Sequence, residues 1–191
     1  MPRMCLSSPI RLFSLAYLTG AALLAQAAPV DASSAMITLP ENVRLNTPSG
    51  MPVPRLVSLK AEKTFCRAGP SFAHPVRLTF MRQGLPVLIV AETRDHWRKI
   101  RDSEGDECWT HKSKLSGDET ALVLEDGLAL RARPDPSAPA KARLGRGVIA
   151  KVESARGPWL RVSADGMRGW ARASAFWGAR ADAPLADYPQ P

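Results

Sequence analysis

Trp97-Arg-Lys-Ile100, followed by Gly105-Asp-Glu-Cys-Trp109, recurs near the end of the chain as Trp159-Leu-Arg-Val162, followed by Gly166-Met-Arg-Gly-Trp170. Upstream, Arg67-Ala-Gly-Pro70 recurs as Arg131-Ala-Arg-Pro134; Gly84 has its counterpart in Gly147 and Gly117 in Gly178. The offset between partners shrinks from 64 to 61 residues along the copy. Small loop deletions between two copies of one fold produce that drift. Within each copy the apolar residues come in short runs of period two, broken every eight to twelve residues by Gly, Pro, Asp or Ser. Leu85, Val87 and Ile89 alternate, Thr93-Arg-Asp-His96 turns, Trp97 to Arg101 resumes the extended pattern, and Asp102-Ser-Glu-Gly-Asp106 turns again. Such a pattern predicts short strands of a barrel or sandwich. No window sustains a helical period, so the folded part is read as nearly all β.

The ends read differently. Arg3 and Arg11 precede an apolar stretch from Leu12 to Ala25 that ends in Ala25-Gln26-Ala27. That small-x-small form predicts a signal peptide over residues 1–27, cleaved after Ala27 and leaving no transmembrane anchor. Residues 28–54 are rich in Pro, Ser, Ala and Asn. Thr47-Pro-Ser-Gly-Met-Pro-Val-Pro54 within them suits neither helix nor ladder, so the segment is read as a flexible linker. Residues 180–191 have a similar character and are read as a flexible tail. Between them lie two domains, 55–117 and 118–179. The chain carries 26 Lys and Arg against 18 Asp and Glu; loss of Arg3 and Arg11 lowers the net charge from +8 to +6. A moderate positive balance suits anionic surfaces and solubility alike. Its cations are scattered among acids, which argues against nucleic acid as a partner.

The two arginine turns, the Trp97 and Trp159 strands and the closing Trp109 and Trp170 strands resemble the bacterial SH3-like (SH3b) domain family. The resemblance covers about two thirds of the chain, in tandem, and the chain is similar to exported alphaproteobacterial proteins built from two such domains. It implies two small, partly open barrels of five to six strands with binding or targeting roles, often towards cell-wall peptide or peptidoglycan; it does not imply a catalytic activity. Two positions depart from the family pattern. Cys108 stands where the second copy has Gly169 and where the family usually has glycine, and Arg133 replaces the turn glycine matched by Gly69.

In an SH3-like arrangement the first strand lies near the closing strand, which would let Cys66 face Cys108. An oxidising compartment permits that disulfide, and two buried thiols are the alternative. A thiol nucleophile at Cys108 with His111 as its base is disfavoured, because residues three apart on a strand point to opposite faces. Cys66, Cys108 and His111 lack a second ligand pair for a metal, and no cofactor is expected.

The four repeated tryptophans are candidate binding platforms, since aromatic grooves accept extended peptides. Trp109 and Trp170, in the closing strand, are expected in or beside the core. Trp97 and Trp159, which lead a strand after a polar turn, are the better groove walls. Trp177, outside the repeat, is placed between the barrels. Arg67 and Arg131 are candidate ligand contacts as well, although their recurrence suits a guanidinium that bonds turn carbonyls. The expected function is therefore that of a periplasmic or secreted, non-catalytic protein that recognises peptidoglycan, cell-wall peptide or another extended peptide. A periplasmic scaffold making protein contacts alone is the alternative. A cell-wall hydrolase ranks third, for want of a paired-carboxylate, zinc or triad constellation.

Overall fold

The computed structural model describes residue 44 and residues 46–179. The readings of 1–27 and 180–191, and of the linker before residue 44, lie outside the described residues. The first copy comprises β1 (Arg55–Leu59), β2 (Thr64–Arg67), β3 (Val76–Phe80), β4 (Pro86–Glu92), β5 (Trp97–Arg101), β6 (Glu107–His111) and, after a 3-10 turn at Lys112–Lys114, β7 (Leu115–Ser116). The second comprises β8 (Thr120–Val123), β9 (Leu128–Arg131), β10 (Ala140–Leu144), β11 (Ile149–Arg156), β12 (Trp159–Ala164), β13 (Met167–Arg172) and β14 (Phe176–Trp177), with its 3-10 turn at Ala173–Ala175. Two seven-stranded antiparallel sheets result, ordered β3-β2-β6-β5-β4-β1-β7 and β10-β9-β13-β12-β11-β8-β14. Every strand has its counterpart at the same place in the other sheet. The short β7 and β14 pair onto β1 and β8 and bring each sheet to seven strands.

Period two places one side of each strand inward. Val87 and Ile89 join Leu59, Cys66, Ile100 and Cys108 in the first core, and Val123, Leu130, Leu144, Leu160 and Val162 lie in the second. The outward Pro86 and Leu88 are buried as well. A Cβ on Gly178, which closes the second copy at φ +81°, would lie 2.5 Å from the Cβ of Pro86. The Thr120 hydroxyl donates to the Gly84 carbonyl at 2.7 Å, and Arg82 Nη2 donates to the Gly147 carbonyl at 2.6 Å. The turn glycines shared by the two copies thus meet the opposite barrel. Trp177 itself is buried and pairs with Leu122, while its neighbour Gly178 makes the close approach.

Cys66 and Cys108 form a disulfide beneath the contact of β2 with β6. Its loop of 42 residues would stabilise the fold by about 4 kcal/mol on the chain-entropy account. Leu130 and Gly169 solve the same packing problem in the second copy without a bond. The Leu130 side chain fills the space over Gly169, where an added Cβ would come within 2.8 Å of Leu130 Cβ and 3.0 Å of the Arg131 carbonyl.

The linker reading of 28–54 requires correction at its C-terminal end. Arg44 and Val53 exchange backbone hydrogen bonds at 2.7 and 3.0 Å across the turn at Thr47–Gly50, and Val53 is buried in the first core. A charged cluster fixes this segment. The fully buried Glu92 carboxylate pairs with Arg55 and with Arg98, the latter at 3.1 Å, and accepts from the Ser49 amide at 3.1 Å, while Arg55 Nη1 donates to the Pro52 carbonyl at 3.2 Å. Burial pushes the Glu92 carboxyl up, but the Ser49 and Arg55 hydrogen bonds and the charges of Arg55 and Arg98 outweigh it, leaving the group below its ordinary value. Glu107 behaves alike: burial raises it, and Lys99 and Arg101 bring it down. The second copy has no such cluster. Leu160 stands for Arg98, and its strand partner Ala155 for Glu92.

Two outcomes are expected. Gly169→Ala should lower the urea midpoint, with a cost of about 1–3 kcal/mol from overpacking against Leu130 and the β9 backbone. Carboxylates whose folded values are depressed stabilise the fold above the unfolded-state value and lose that contribution as pH falls through the folded value. Thermal stability should therefore decline as the pH falls below about 5, and Glu92→Gln should cost about 3–5 kcal/mol at pH 7 by leaving two buried guanidiniums with no counter-charge.

Candidate functional site

The turns that follow Arg67 and Arg131 overhang the strands that begin with Trp97 and Trp159. Arg67 Nη1 donates to the His74 carbonyl at 2.7 Å, and Arg131 Nη1 donates to the Ala138 carbonyl at the same distance. Ala68 and Ala132 close the same turns by donating to the Pro75 and Pro139 carbonyls. Both guanidiniums hold a turn in shape. The glycine that differs between the turns follows from the residue it faces. A Cβ on Gly69 would collide with the His74 ring, whereas Ala138 holds that position in the second turn and leaves room for Arg133.

Trp97 and Trp159 are 5% and 7% exposed, while Trp109 and Trp170 are half-buried. This reverses the expected order. A tryptophan that leads the middle strand is covered by the turn above and by the residue opposite in the closing strand; one in the closing strand lies on the outside. Trp97 faces His111 across the strand pair, with ring centroids 5.8 Å apart, and Trp159 lies under the Arg172 guanidinium at 5.0 Å. Trp109 and Trp170 instead stand opposite Arg67 and Arg131, where β6 meets β2 and β13 meets β9, and Arg156 lies 6.0 Å over the Trp170 ring.

The copies differ most above the leading tryptophans. In the first, Phe72 projects from the turn and meets the Trp97 ring edge-on at 4.9 Å, with Arg67 stacked 5.6 Å over Phe72. In the second, Pro136 takes the corresponding position and borders a cavity of about 360 Å³ together with Trp159, Arg131, Arg172 and the acidic Glu125 and Asp126. Aromatic surface, proline and charges of both signs thus converge at one mouth. His111 Nδ1 faces the Ser113 hydroxyl at 2.9 Å and accepts from the Ser113 amide. Burial, then the charges of His96, Lys112 and Arg98, hold this imidazole below its ordinary value.

The sulfur of Cys108 is taken up in the disulfide, and the His111 ring lies on Trp97. The two do not form a thiol–imidazole pair. Among the described residues, no three His, Cys, Asp or Glu side chains converge as a metal-ligand set.

The family model described as bacterial SH3 domain matches residues 60–117 and again residues 125–178. The chain belongs to the bacterial SH3 domain family. No curated protein matches the sequence. Among solved structures, NlpC2 from Trichomonas vaginalis is 11% identical over 65% of this chain and 48% of that one, with a TM-score of 0.29. An NlpC/P60 family protein from Bacillus cereus is 13% identical over 71% of this chain and 59% of that one, with a TM-score of 0.30. The chain thus spans about half the length of these proteins.

As a tandem bacterial SH3 protein, the chain brings Arg131 and Trp159 to one cavity with Arg172 and Pro136, and sets Phe72 on Trp97 in the first barrel. The repeat alignment held their signal. Arg172 aligns with His111 and Pro136 with Phe72, so the two copies differ at two positions near the repeated ring.

Proposed function

We propose that the protein is an exported, non-catalytic binding protein that holds an extended peptide of the cell wall, the peptidoglycan stem above all, in the groove of its second barrel. The observation that carries this reading is the cavity of about 360 Å³ over Trp159. Arg172 and Arg131 suit carboxylates of such a peptide, Glu125 and Asp126 suit its amines, and Pro136 and the Trp159 ring supply apolar contact. Trp97 and Trp159 are buried alike, the one under Phe72 and the other under Arg172, and it is the cavity beside Trp159 that gives the second barrel the larger share in binding. Export is supported by the apolar stretch from Leu12 to Ala25 and by the disulfide, which suits an oxidising compartment. No helix among the described residues is long and apolar enough to cross a membrane.

Co-sedimentation with peptidoglycan sacculi at low and at near-physiological salt tests the reading. Retention should survive salt and leave no soluble muropeptides. It should fall several-fold with Arg172→Ala, whose side chain is exposed and covers the Trp159 ring at the cavity. Retention lost on adding salt would reduce the interaction to nonspecific charge attraction and favour a scaffold with protein partners. Release of soluble fragments would reinstate a hydrolase.

A further inference from the structure

A second cavity, of about 430 Å³, lies where the two barrels meet. Its cationic lining is Arg55 from β1, Arg98 from β5 and Lys112 from the 3-10 turn, and its anionic lining is Asp118 and Glu119, in the segment that joins the barrels. Leu56, Ile89 and Val152 contribute apolar surface. None of these features belongs to the groove over Trp159.

The charges in this cavity are incompletely matched. The side chains of Arg55 and Arg98 are 8% and 7% exposed, yet they share one carboxylate, that of Glu92. Two guanidiniums and one carboxylate leave a surplus positive charge, and Lys112 adds another. Arg55 Nε has no hydrogen-bond partner. A buried donor without an acceptor is costly, and a buried charge more so. Asp118 accepts from the Ser116 hydroxyl, but among the described residues no ion pair joins Asp118 or Glu119 to the cationic lining. Opposite charges therefore border the same space without meeting.

We infer that this cavity binds a small zwitterion of amino-acid to dipeptide size, with its carboxylate towards Arg55, Arg98 and Lys112 and its ammonium towards Asp118 and Glu119. A simple anion would face repulsion from the two acids, and a simple cation from the three bases. A molecule carrying both charges meets each with its opposite. The volume lies within the roughly 300–1,000 Å³ of small-molecule sites. Because the walls come from both barrels, such a ligand would also brace the junction between them.

Titration of the full chain with alanyl-alanine, followed by amide shifts in ¹H–¹⁵N spectra, tests the inference. Saturable shifts are expected at Leu56, Lys112 to Thr120 and Gly178. N-acetyl-alanyl-alanine, which lacks the ammonium, and alanyl-alanine amide, which lacks the carboxylate, should each bind about ten-fold more weakly, the loss of one charge-assisted contact. Lys112→Ala and Glu119→Gln alter exposed residues and should each weaken the dipeptide several-fold while leaving retention on sacculi unchanged. Absence of saturation, equal binding by the blocked dipeptides, or unchanged affinity in both variants would overturn the inference. A failure of sacculus binding alone would leave it standing.

Discussion

Each barrel closes through one residue pair, Arg67 opposite Trp109 in the first and Arg131 opposite Trp170 in the second. The other pairings are hairpins between strands adjacent in sequence, the longer-range ladders of β1 with β4 and β8 with β11, and the short pairs of β1 with β7 and β8 with β14. At the closure, β2 must bond to β6, and β9 to β13, across about 40 residues, and a bridge so short cannot hold by its own hydrogen bonds. The two copies reinforce it from below by different means. A disulfide does so in one; in the other, a leucine seated on a glycine does so through close approach alone. From above, the arginine of the pair reaches forward to tie the following turn to itself. Closure, turn and groove therefore depend on a single contact, because the turn held there covers Trp97 or borders the cavity over Trp159.

This dependence explains what was legible in the sequence. The repeated tryptophans, turn arginines and glycines are the residues of closure and of tight turns, so their order exposed the duplication, the all-β class and the tandem arrangement. Periodicity located β4 and β5 through Val87, Ile89 and Ile100, since local alternation is all that those strands require. Relations between distant residues were not legible. Pro52, Val53 and their neighbours read as a linker because the carboxylate that fixes them, Glu92, belongs to another strand. The exposure of the tryptophans was not legible for a related reason. Whether a ring at a strand start faces solvent depends on what the overhanging turn brings down on it, and Phe72 and Arg172 are visible as covers only after folding.

The two copies divide structural and surface roles unequally. The first has the disulfide and the buried Arg55–Glu92–Arg98 cluster, and it places a phenylalanine over its own groove ring. The second has no disulfide, its Glu153 pairs with Arg161 and Arg168 at the surface, and a cavity lies beside its leading tryptophan. A buried ion cluster is a poor source of net stability compared with apolar packing, since desolvation offsets most of the attraction. Its effect in the first copy is positional. It fixes the segment before β1 and sets Arg55 and Arg98 at the edge of the space between the barrels. The packing of Gly178 on Pro86 and the Thr120–Gly84 and Arg82–Gly147 hydrogen bonds hold the two copies together beside the connector at Asp118 and Glu119. Duplication supplied two equivalent barrels, and substitution at the covering and closing positions gave one of them the disulfide and the buried cluster and the other the cavity beside its leading tryptophan.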